Sequence, residues 1–293
     1  MLTQWLLYGM VALAHLIAVT AWVRATRRNK PSSKLGLGDV IIGIVVNFLD
    51  TLGIGSYAQI TSLFKLRGRP TDDLIPGTMN VGSAIPSFFG AFLFIVSIKV
   101  DPLLLFAMIG SSGLGAWFGA GLVSRMSKRH IQTVMGCALL VAAGFLVMGL
   151  LGLIPNSGTE MTLTGWRFLL AVGSNFILGA LMCIGIGNYA PSMVLLSMLG
   201  MHPIAAYPIM IGSDGLIIPV ASIGFIRSGR FDHSVAVGLV IGGVLGTFAA
   251  FPLVTAISGH LNAMRGLVIL VVLYAAVSML MAAKHNKAQD AGA

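Results

Sequence analysis

Apolar stretches separated by short charged segments make up most of this chain. Each stretch is about as long as the ~20 residues that a helix needs to cross a bilayer core. The stretches are 2–23, 74–98, 102–124, 131–154, 168–199, 204–226, 234–257 and 266–283. The composition agrees, with 57% hydrophobic residues, 9% charged residues and a mean hydropathy of +0.94, whereas soluble domains carry about 25% charged residues. The pattern predicts an all-α polytopic membrane protein.

Two similar phrases interrupt this pattern and indicate an internal repeat. NFLDTLGIGSYA occupies residues 47–58, and GALMCIGIGNYA occupies residues 179–190, 132 residues further on. Further matches follow both phrases in the same order, namely Pro70 with Pro203, Pro76 with Pro208, Pro86 with Pro219, Asp101 with Asp232 and Gly115 with Gly246. The repeat covers about 38–152 and 168–283. One membrane domain therefore consists of an N-terminal helix with a basic loop (1–34), repeat 1 (35–155), repeat 2 (156–283) and a tail (284–293).

The basic residues predict how the interrupted segments 37–64 and 168–199 lie in the membrane, because cytoplasmic loops carry an excess of Lys and Arg. If both segments cross, 11 basic residues lie inside and 7 outside; if both turn back as re-entrant hairpins, the numbers are 15 and 3. The hairpins are favoured. Each repeat then has one re-entrant broken-helix hairpin and three spanning helices, so the two repeats are inverted. We predict seven spans, an external N-terminus and a cytoplasmic C-terminus.

Several other classes of protein do not fit the sequence. Residues 1–23 lack a basic n-region and exceed the length of a signal-peptide core, so we expect a retained first helix. The net charge of +9 comes from loops between spans, which argues against a nucleic-acid partner. Cys137 and Cys183 lie in apolar stretches without metal-ligand spacing, and no nucleotide-binding motif is present. We therefore expect no cofactor and no metal.

The two interruptions have the chemistry of an anion site. Four glycines permit the tight reversals, namely Gly53, Gly55, Gly185 and Gly187. Ser56 and Asn188 follow at equivalent positions, and both residue types are preferred N-caps. Each phrase thus predicts a turn, a cap and a half-helix whose N-terminus points to the membrane centre, where its dipole favours an anion. The alternative is that these glycines only let helices pack closely.

Polar residues within the following helices complete the candidate site. Asn80, Ser83 and Ser213 lie between paired prolines in IPGTMNVGSAIP (75–86) and PIMIGSDGLIIP (208–219). Asp50 and Asp214 are acids at membrane depth, where charged groups are costly and commonly functional. We predict that they carry a coupling proton. For Asp50, a structural role at the hairpin break is an equal alternative.

These motifs resemble those of the sulfite exporter TauE/SafE family of membrane permeases. The similarity covers about residues 38–283 and rests on LGIGSYAQ, IGIGNYAP and the Gly-rich spans IGSSGLGAWFGAGL and IGGVLGTFAAF. It implies a secondary transporter of the bacterial inner membrane, driven by the proton gradient. The implied substrates are small sulfur-containing anions such as sulfite, sulfoacetate or other organosulfonates. Where many members have longer glycine runs, this chain has Ser56-Tyr57 and Asn188-Tyr189. The bulkier tyrosines could narrow or reshape the cavity, and they could also hydrogen-bond an anionic oxygen.

Two other functions stay open at this point. A passive anion or small-solute channel would also use broken helices. An intramembrane aspartyl protease would need the Asp of GLGD (36–39) at depth, but Asp39 follows a basic loop at the membrane edge. The sequence also leaves the direction of transport, the coupling stoichiometry and the oligomeric state open, a homodimer included.

The inverted arrangement predicts the sides on which two loops lie. Reporter fusions after Arg67 and after His202 should report the cytoplasm and the exterior, respectively, because each loop follows the return of a different hairpin. Detection of both reporters on the same side would rule out the inverted arrangement.

Overall fold

A computed structural model describes residues 2–28, 34–52, 55–97, 100–153, 159–183 and 188–253, together with single positions between 269 and 284. Ten α-helices lie within these ranges. They are α1 (Leu2–Arg28), α2 (Leu37–Thr51), α3 (Tyr57–Arg67), α4 (Ile75–Ser97), α5 (Pro102–Val123), α6 (Lys128–Leu150), α7 (Gly165–Met182), α8 (Tyr189–Met198), α9 (Pro203–Ser228) and α10 (His233–Ala250). The described part of the chain contains no strand, so the fold is all-α, as predicted.

Six of the described helices are long and apolar enough to cross a membrane, namely α1, α5, α6, α7, α9 and α10. Two helices differ from the predicted division into spans and hairpins. α4 was predicted to be a span and is not among the six, whereas α7 was predicted to be one arm of a hairpin and is among them. At 18 residues and 1.5 Å per residue, α7 is about 27 Å long, nearly the full thickness of a bilayer core. The predicted last span, 266–283, lies largely outside the described residues.

The outer surface of the helices is apolar. Large hydrophobic side chains are well exposed on α1, α5 and α7, including Trp5 (72%), Leu122 (68%) and Leu169 (70%). Monomeric soluble proteins rarely expose apolar surface on this scale. In a membrane these side chains would contact lipid tails instead of water. The exposed apolar surface therefore agrees with the multi-pass membrane protein that the sequence predicts.

The first hairpin begins and ends at the same end of the molecule. Asp39, in the first turn of α2, is fully buried, and its Oδ1 accepts a 2.6 Å hydrogen bond from Nη1 of Arg67, the last residue of α3. Arg69 lies 3.9 Å from both Asp39 and Asp232, the N-cap of α10. Since removal of one partner of a buried ion pair costs about 3–5 kcal/mol, this cluster holds both arms of the hairpin to α10.

The second hairpin also closes on itself, but through backbone contacts. The Glu160 amide donates to the Gly200 carbonyl (3.1 Å), and the His202 amide donates to the Glu160 carbonyl (2.8 Å). The segment before α7 therefore lies beside the turn after α8. The arms are unequal, since α8 has 10 residues and α7 has 18.

The two hairpins pack reciprocally against the opposite half of the chain. α2 packs on α10 and α7 packs on α5, while α4 and α9 pack on each other. A Cβ at Gly246 would collide with the Ile44 carbonyl oxygen, and a Cβ at Gly115 would collide with that of Phe176. These two contacts are related by the repeat offsets, 131 residues for the glycines and 132 for the carbonyls.

A second pair of contacts obeys the same offsets. The Asn175 side chain donates to the Met108 carbonyl at 2.7 Å. At the equivalent place, a Cβ on Gly43 would lie 2.8 Å from the Leu239 carbonyl oxygen. Equivalent helices thus approach through equivalent positions in both halves, although the side chains differ.

The equivalent helices α2 and α7 run in opposite directions. Residues early in α2 contact residues early in α10, and later residues of α2 contact later residues of α10. The same holds for α7 and α5, so the helices of each pair are parallel. The end of α5 adjoins the start of α10, since Arg230 donates to the Met126 carbonyl at 3.2 Å. α2 therefore starts at the end where α5 finishes, whereas α7 starts at the end where α5 begins.

One end of the molecule is strongly basic, and we call it the basic end. It consists of the end of α1, the start of α2 and the α3–α4, α5–α6 and α9–α10 loops. Side-chain hydrogen bonds join these segments, for example that of Trp22 Nε1 to His233 Nδ1 at 2.9 Å. Within the described residues up to 253, Arg167 is the one Lys or Arg at the opposite end. This charge distribution agrees with the predicted assignment of loops to two sides.

The close helix contacts predict a difference between two glycines of α5. Gly115→Val should lower the free energy of unfolding by about 1–3 kcal/mol, because overpacking forces α7 away. Gly110→Val is the matched control on the same helix, since a Cβ there meets nothing within 4 Å. Thermal unfolding in detergent measures both variants. Equal losses at the two positions would show that α5 does not depend on this contact.

Candidate functional site

The two interruptions of the apolar pattern are real breaks between helices. α2 ends at Thr51 and α3 begins at Tyr57, while α7 ends at Met182 and α8 begins at Tyr189. Gly55 has a φ of +89°, a left-handed conformation that favours glycine. The predicted reversal is thus present at the first break. Gly53, Gly185 and Gly187 lie outside the described residues.

Asp50 lies beside the start of α3. Ser56 is the N-cap of α3, as predicted, but its side chain makes no capping hydrogen bond to the first turn. The hydroxyl group is hydrogen-bonded to the Asp50 carboxyl group instead. Oδ1 of Asp50 is buried and has no hydrogen-bond partner within the described part of the chain. Because an unsatisfied buried acceptor is costly, the Asp50 oxygen is a group that a proton or a bound molecule would stabilise.

Asp214 lies beside the start of α8 in a corresponding way. The Asn188 side-chain amide lies 3.3 Å from Asp214 Oδ1 and 3.3 Å from the Met210 carbonyl oxygen. Its carbonyl oxygen accepts a 2.6 Å bond from the Ser192 hydroxyl group. Ser56 and Asn188 are equivalent in the repeat, so each cap residue holds one of the two membrane acids.

Both acids face one small cavity between α2, α4, α9 and α10. Its described lining consists of Asn47, Asp50, Thr51, Pro86, Ser87, Gly90, Ile211, Asp214 and Thr247. Its volume is about 10 Å³, which is roughly the space for the centre of one water molecule. A sulfite or organosulfonate ion is larger than a water molecule. An anion of that size can therefore bind between these residues only if the surrounding helices move apart.

Within the described part of the chain, the other predicted binding residues lie outside the cavity lining. The Tyr57 hydroxyl group donates to Asn80 Oδ1 at 2.9 Å, and Asn80 Nδ2 donates to the Pro76 carbonyl at 2.7 Å. Ser213 accepts a 3.0 Å bond from Asn175. These buried pairs join α3 to α4 and α7 to α9.

Ser83 differs from these paired groups. It is buried, and its hydroxyl oxygen has no hydrogen-bond partner among the described residues. Of Tyr189, the structure describes only that it begins α8, so the predicted role of its side chain stays a prediction.

Sequence reasoning missed three polar residues of the cavity lining, namely Thr51, Ser87 and Thr247. Thr51 is adjacent to Asp50, and Ser87 directly follows Pro86, so both lie beside features that the sequence analysis used. Thr247 lies on a Gly-rich helix of the other repeat and reaches the cavity because α10 packs against α2. Only the first two carry a signal in the sequence.

Of the four glycines in the two phrases, only Gly55 is described, and close packing does not account for it. Gly115, Gly179, Gly242 and Gly246 each lie against the backbone of a neighbouring helix, whereas a Cβ at Gly55 would meet nothing within 4 Å. Gly55 is therefore required by its backbone conformation and leaves open space beside the start of α3.

Asp39 of the GLGD phrase lies away from this cavity. It is bonded to Arg67 at the start of α2, as its position after a basic loop predicts. It does not line the cavity that Asp50 and Asp214 share.

Broken helices whose tips meet two carboxyl groups inside an apolar helix bundle are typical of membrane transport proteins. The sequence profile of the sulfite exporter TauE/SafE family matches residues 1–146 of the chain. The match covers just under half of the chain and supports the family that the motifs indicated, and the apolar helices support a multi-pass membrane protein. Its extent differs from the resemblance, because it includes α1 and ends within α6. No curated protein and no solved structure matches the chain.

The small cavity predicts that its lining is protected from large reagents. In a Cys137→Ser background, Ser87→Cys and Thr247→Cys should react with a charged methanethiosulfonate on the order of 100-fold more slowly than Ser127→Cys, because labelling must wait for a local opening. Ser127 is the control, since it is exposed at the basic end. Equal labelling rates would mean that the cavity is open to water.

Proposed function

We propose that the chain is a proton-coupled secondary transporter that exports small sulfur-containing anions such as sulfite, sulfoacetate or other organosulfonates. The substrate class comes from the family. The observation that carries the proposal is the pairing of each membrane acid with the cap residue of a half-helix, Asp50 with Ser56 and Asp214 with Asn188.

The half-helix N-termini supply the attraction for the anion. A helix N-terminus carries roughly half a positive charge, and its first amide groups point outward. α3 and α8 both begin at the site, next to the two acids. An ionised carboxylate occupies such an N-terminus as an internal anion, and protonation of the carboxyl group removes that competition. Protonation and anion binding therefore favour each other, which is the coupling that the proposal needs.

The membrane potential favours one direction of anion transport. If a divalent anion crosses with one proton, one net negative charge moves. An inside-negative potential drives that charge outward by about 2.3 kcal/mol per 100 mV. A transmembrane difference of one pH unit opposes it by about 1.4 kcal/mol. Export is thus favoured for this stoichiometry at ordinary potentials.

We infer that the two repeats are inverted, an arrangement that suits alternating access. Opposite directions of α2 and α7, together with equivalent contacts in the two halves, are what an axis in the membrane plane produces. We assign the basic end to the cytoplasm by the positive-inside rule, which places the N-terminus outside and the C-terminus inside the bacterial inner membrane. Opening toward the cytoplasm then requires movement around the Asp39–Arg67 ion pair, which ties the first hairpin to that end.

A passive anion channel is the second candidate. The cavity of about 10 Å³ favours a carrier, because a channel needs a continuous path whereas a carrier can close around its site. A protease is disfavoured, because Asp39 of GLGD is held by Arg67 at the basic end, remote from Asp50 and Asp214.

Transport measurements on the whole chain in proteoliposomes test the proposal. Flux of sulfite or sulfoacetate should saturate and depend steeply on pH, and it should exceed that of taurine and sulfate. Asp50→Asn and Asp214→Asn should each flatten the pH dependence while retaining anion exchange, because the amide cannot carry the proton but keeps the hydrogen-bonding shape.

Asp73→Asn is the matched control, since Asp73 lies in the α3–α4 loop outside the cavity. It should leave the pH dependence unchanged. Wild-type pH dependence in both Asp50→Asn and Asp214→Asn would refute proton coupling through these acids. An ohmic, non-saturating current in the unaltered protein would establish the channel instead.

A further inference from the structure

A long groove on the outer surface lies apart from the transport site. It runs between α1, α5 and α9 and consists of two adjoining cavities of about 330 and 680 Å³. Both cavities are lined by Ile17, Ile223 and Arg227, so they form one continuous groove. We call it the α1–α5–α9 groove.

The two parts of this groove differ in chemistry. The smaller cavity is lined almost entirely by apolar residues, among them Leu13, Trp117 and Val220. The larger cavity lies toward the basic end and is lined by Thr20, Arg24 and Arg227 as well as by apolar side chains. The groove is thus an apolar channel with cationic groups at one end.

The two arginines at that end are exposed and make no ion pair within the described residues. No acidic residue is among the described residues that line either cavity. Nearby basic residues of the same end differ, because Arg67 and Lys65 are each paired with an aspartate. Arg24 and Arg227 therefore leave two positive charges available to an anionic group from outside the chain.

We propose that the α1–α5–α9 groove binds an anionic phospholipid of the leaflet at the basic end. The phosphate group lies between Arg24 and Arg227, and an acyl chain lies along Leu13, Trp117 and Val220. Basic pockets between transmembrane helices on the cytoplasmic side are suited to anionic headgroups. The combination of an apolar channel with one cationic end fits the length and polarity of a lipid better than those of a soluble anion.

The position of the groove gives the bound lipid a structural consequence. α9 carries Asp214, and α1 packs against both α9 and α4, which line the transport cavity. A lipid between α1, α5 and α9 therefore contacts helices that must move if the cavity opens. This consequence rests on the proposed function, whereas lipid binding itself does not.

Native mass spectrometry of the delipidated whole chain tests the site with phosphatidylglycerol and phosphatidylcholine as probes. Wild-type protein should retain phosphatidylglycerol preferentially. The double variant Arg24→Gln/Arg227→Gln should bind it about 25-fold more weakly, from about fivefold for each arginine. The control Arg27→Gln/Arg125→Gln removes the same charge at the same end but outside the groove, and should bind normally.

A second variant tests the acyl-chain part. Gly121 lines the groove, and a Cβ there meets nothing within 4 Å, so Gly121→Phe should fill the groove without disturbing the helices and reduce retention of the lipid. Gly110→Phe is the control on the same helix, outside the groove.

Three results would overturn the proposal. One is equal retention of both lipids by the wild type. Another is normal phosphatidylglycerol binding in the two groove variants. The third is a change of oligomeric state in Gly121→Phe with unaltered lipid binding, which would identify a second copy of the chain as the occupant. Loss of transport in the Asp50 and Asp214 variants has no bearing on these outcomes, so the two proposals fail separately.

Discussion

A polypeptide that stops being helical inside a bilayer must satisfy its backbone with protein groups, and this constraint governs the whole structure. Lipid provides no hydrogen bonds, so irregular backbone at membrane depth is tolerated only where protein or a water-filled cavity surrounds it. The helices α2 and α7, which lead into the two breaks, are accordingly packed against protein. α10 covers the first hairpin and α5 covers the second, through small residues such as Gly246 and Gly115 that allow the backbones to touch.

This enclosure also brings the chemistry together. α4 and α9 pack against each other between the hairpins, and they carry the polar residues and prolines that follow each break. Asp50 and Asp214 thereby reach one cavity from different helices and different halves of the chain. Each acid is bonded to the cap residue of a half-helix, so the group that would carry a proton and the group that would attract an anion are neighbours. The polar pairs Tyr57–Asn80 and Asn175–Ser213 hold these helices in register.

The ends of the molecule are held by different interactions. At the basic end, the buried carboxylate of Asp39 joins both arms of the first hairpin and lies close to the start of α10 through Arg69. At the opposite end, the second hairpin closes through backbone hydrogen bonds around Glu160. An ion pair and a short backbone bridge respond differently to water and charge. The two ends are therefore held by different kinds of interaction, although the halves share one pattern of packing.

The sequence by itself determined the helical class, most helix bounds, the two breaks and the repeat, because each has a local or periodic signal in apolar length, glycine, proline and charge. It also located Asp50 and Asp214, since acids are rare in apolar stretches. Only the tertiary structure decided that these acids share a cavity, that Ser56 bonds Asp50 instead of capping α3, and that Thr247 lines the cavity. Those outcomes depend on how α10 packs on α2 and α4 on α9. Such packing joins residues far apart in the chain, and no local pattern records it.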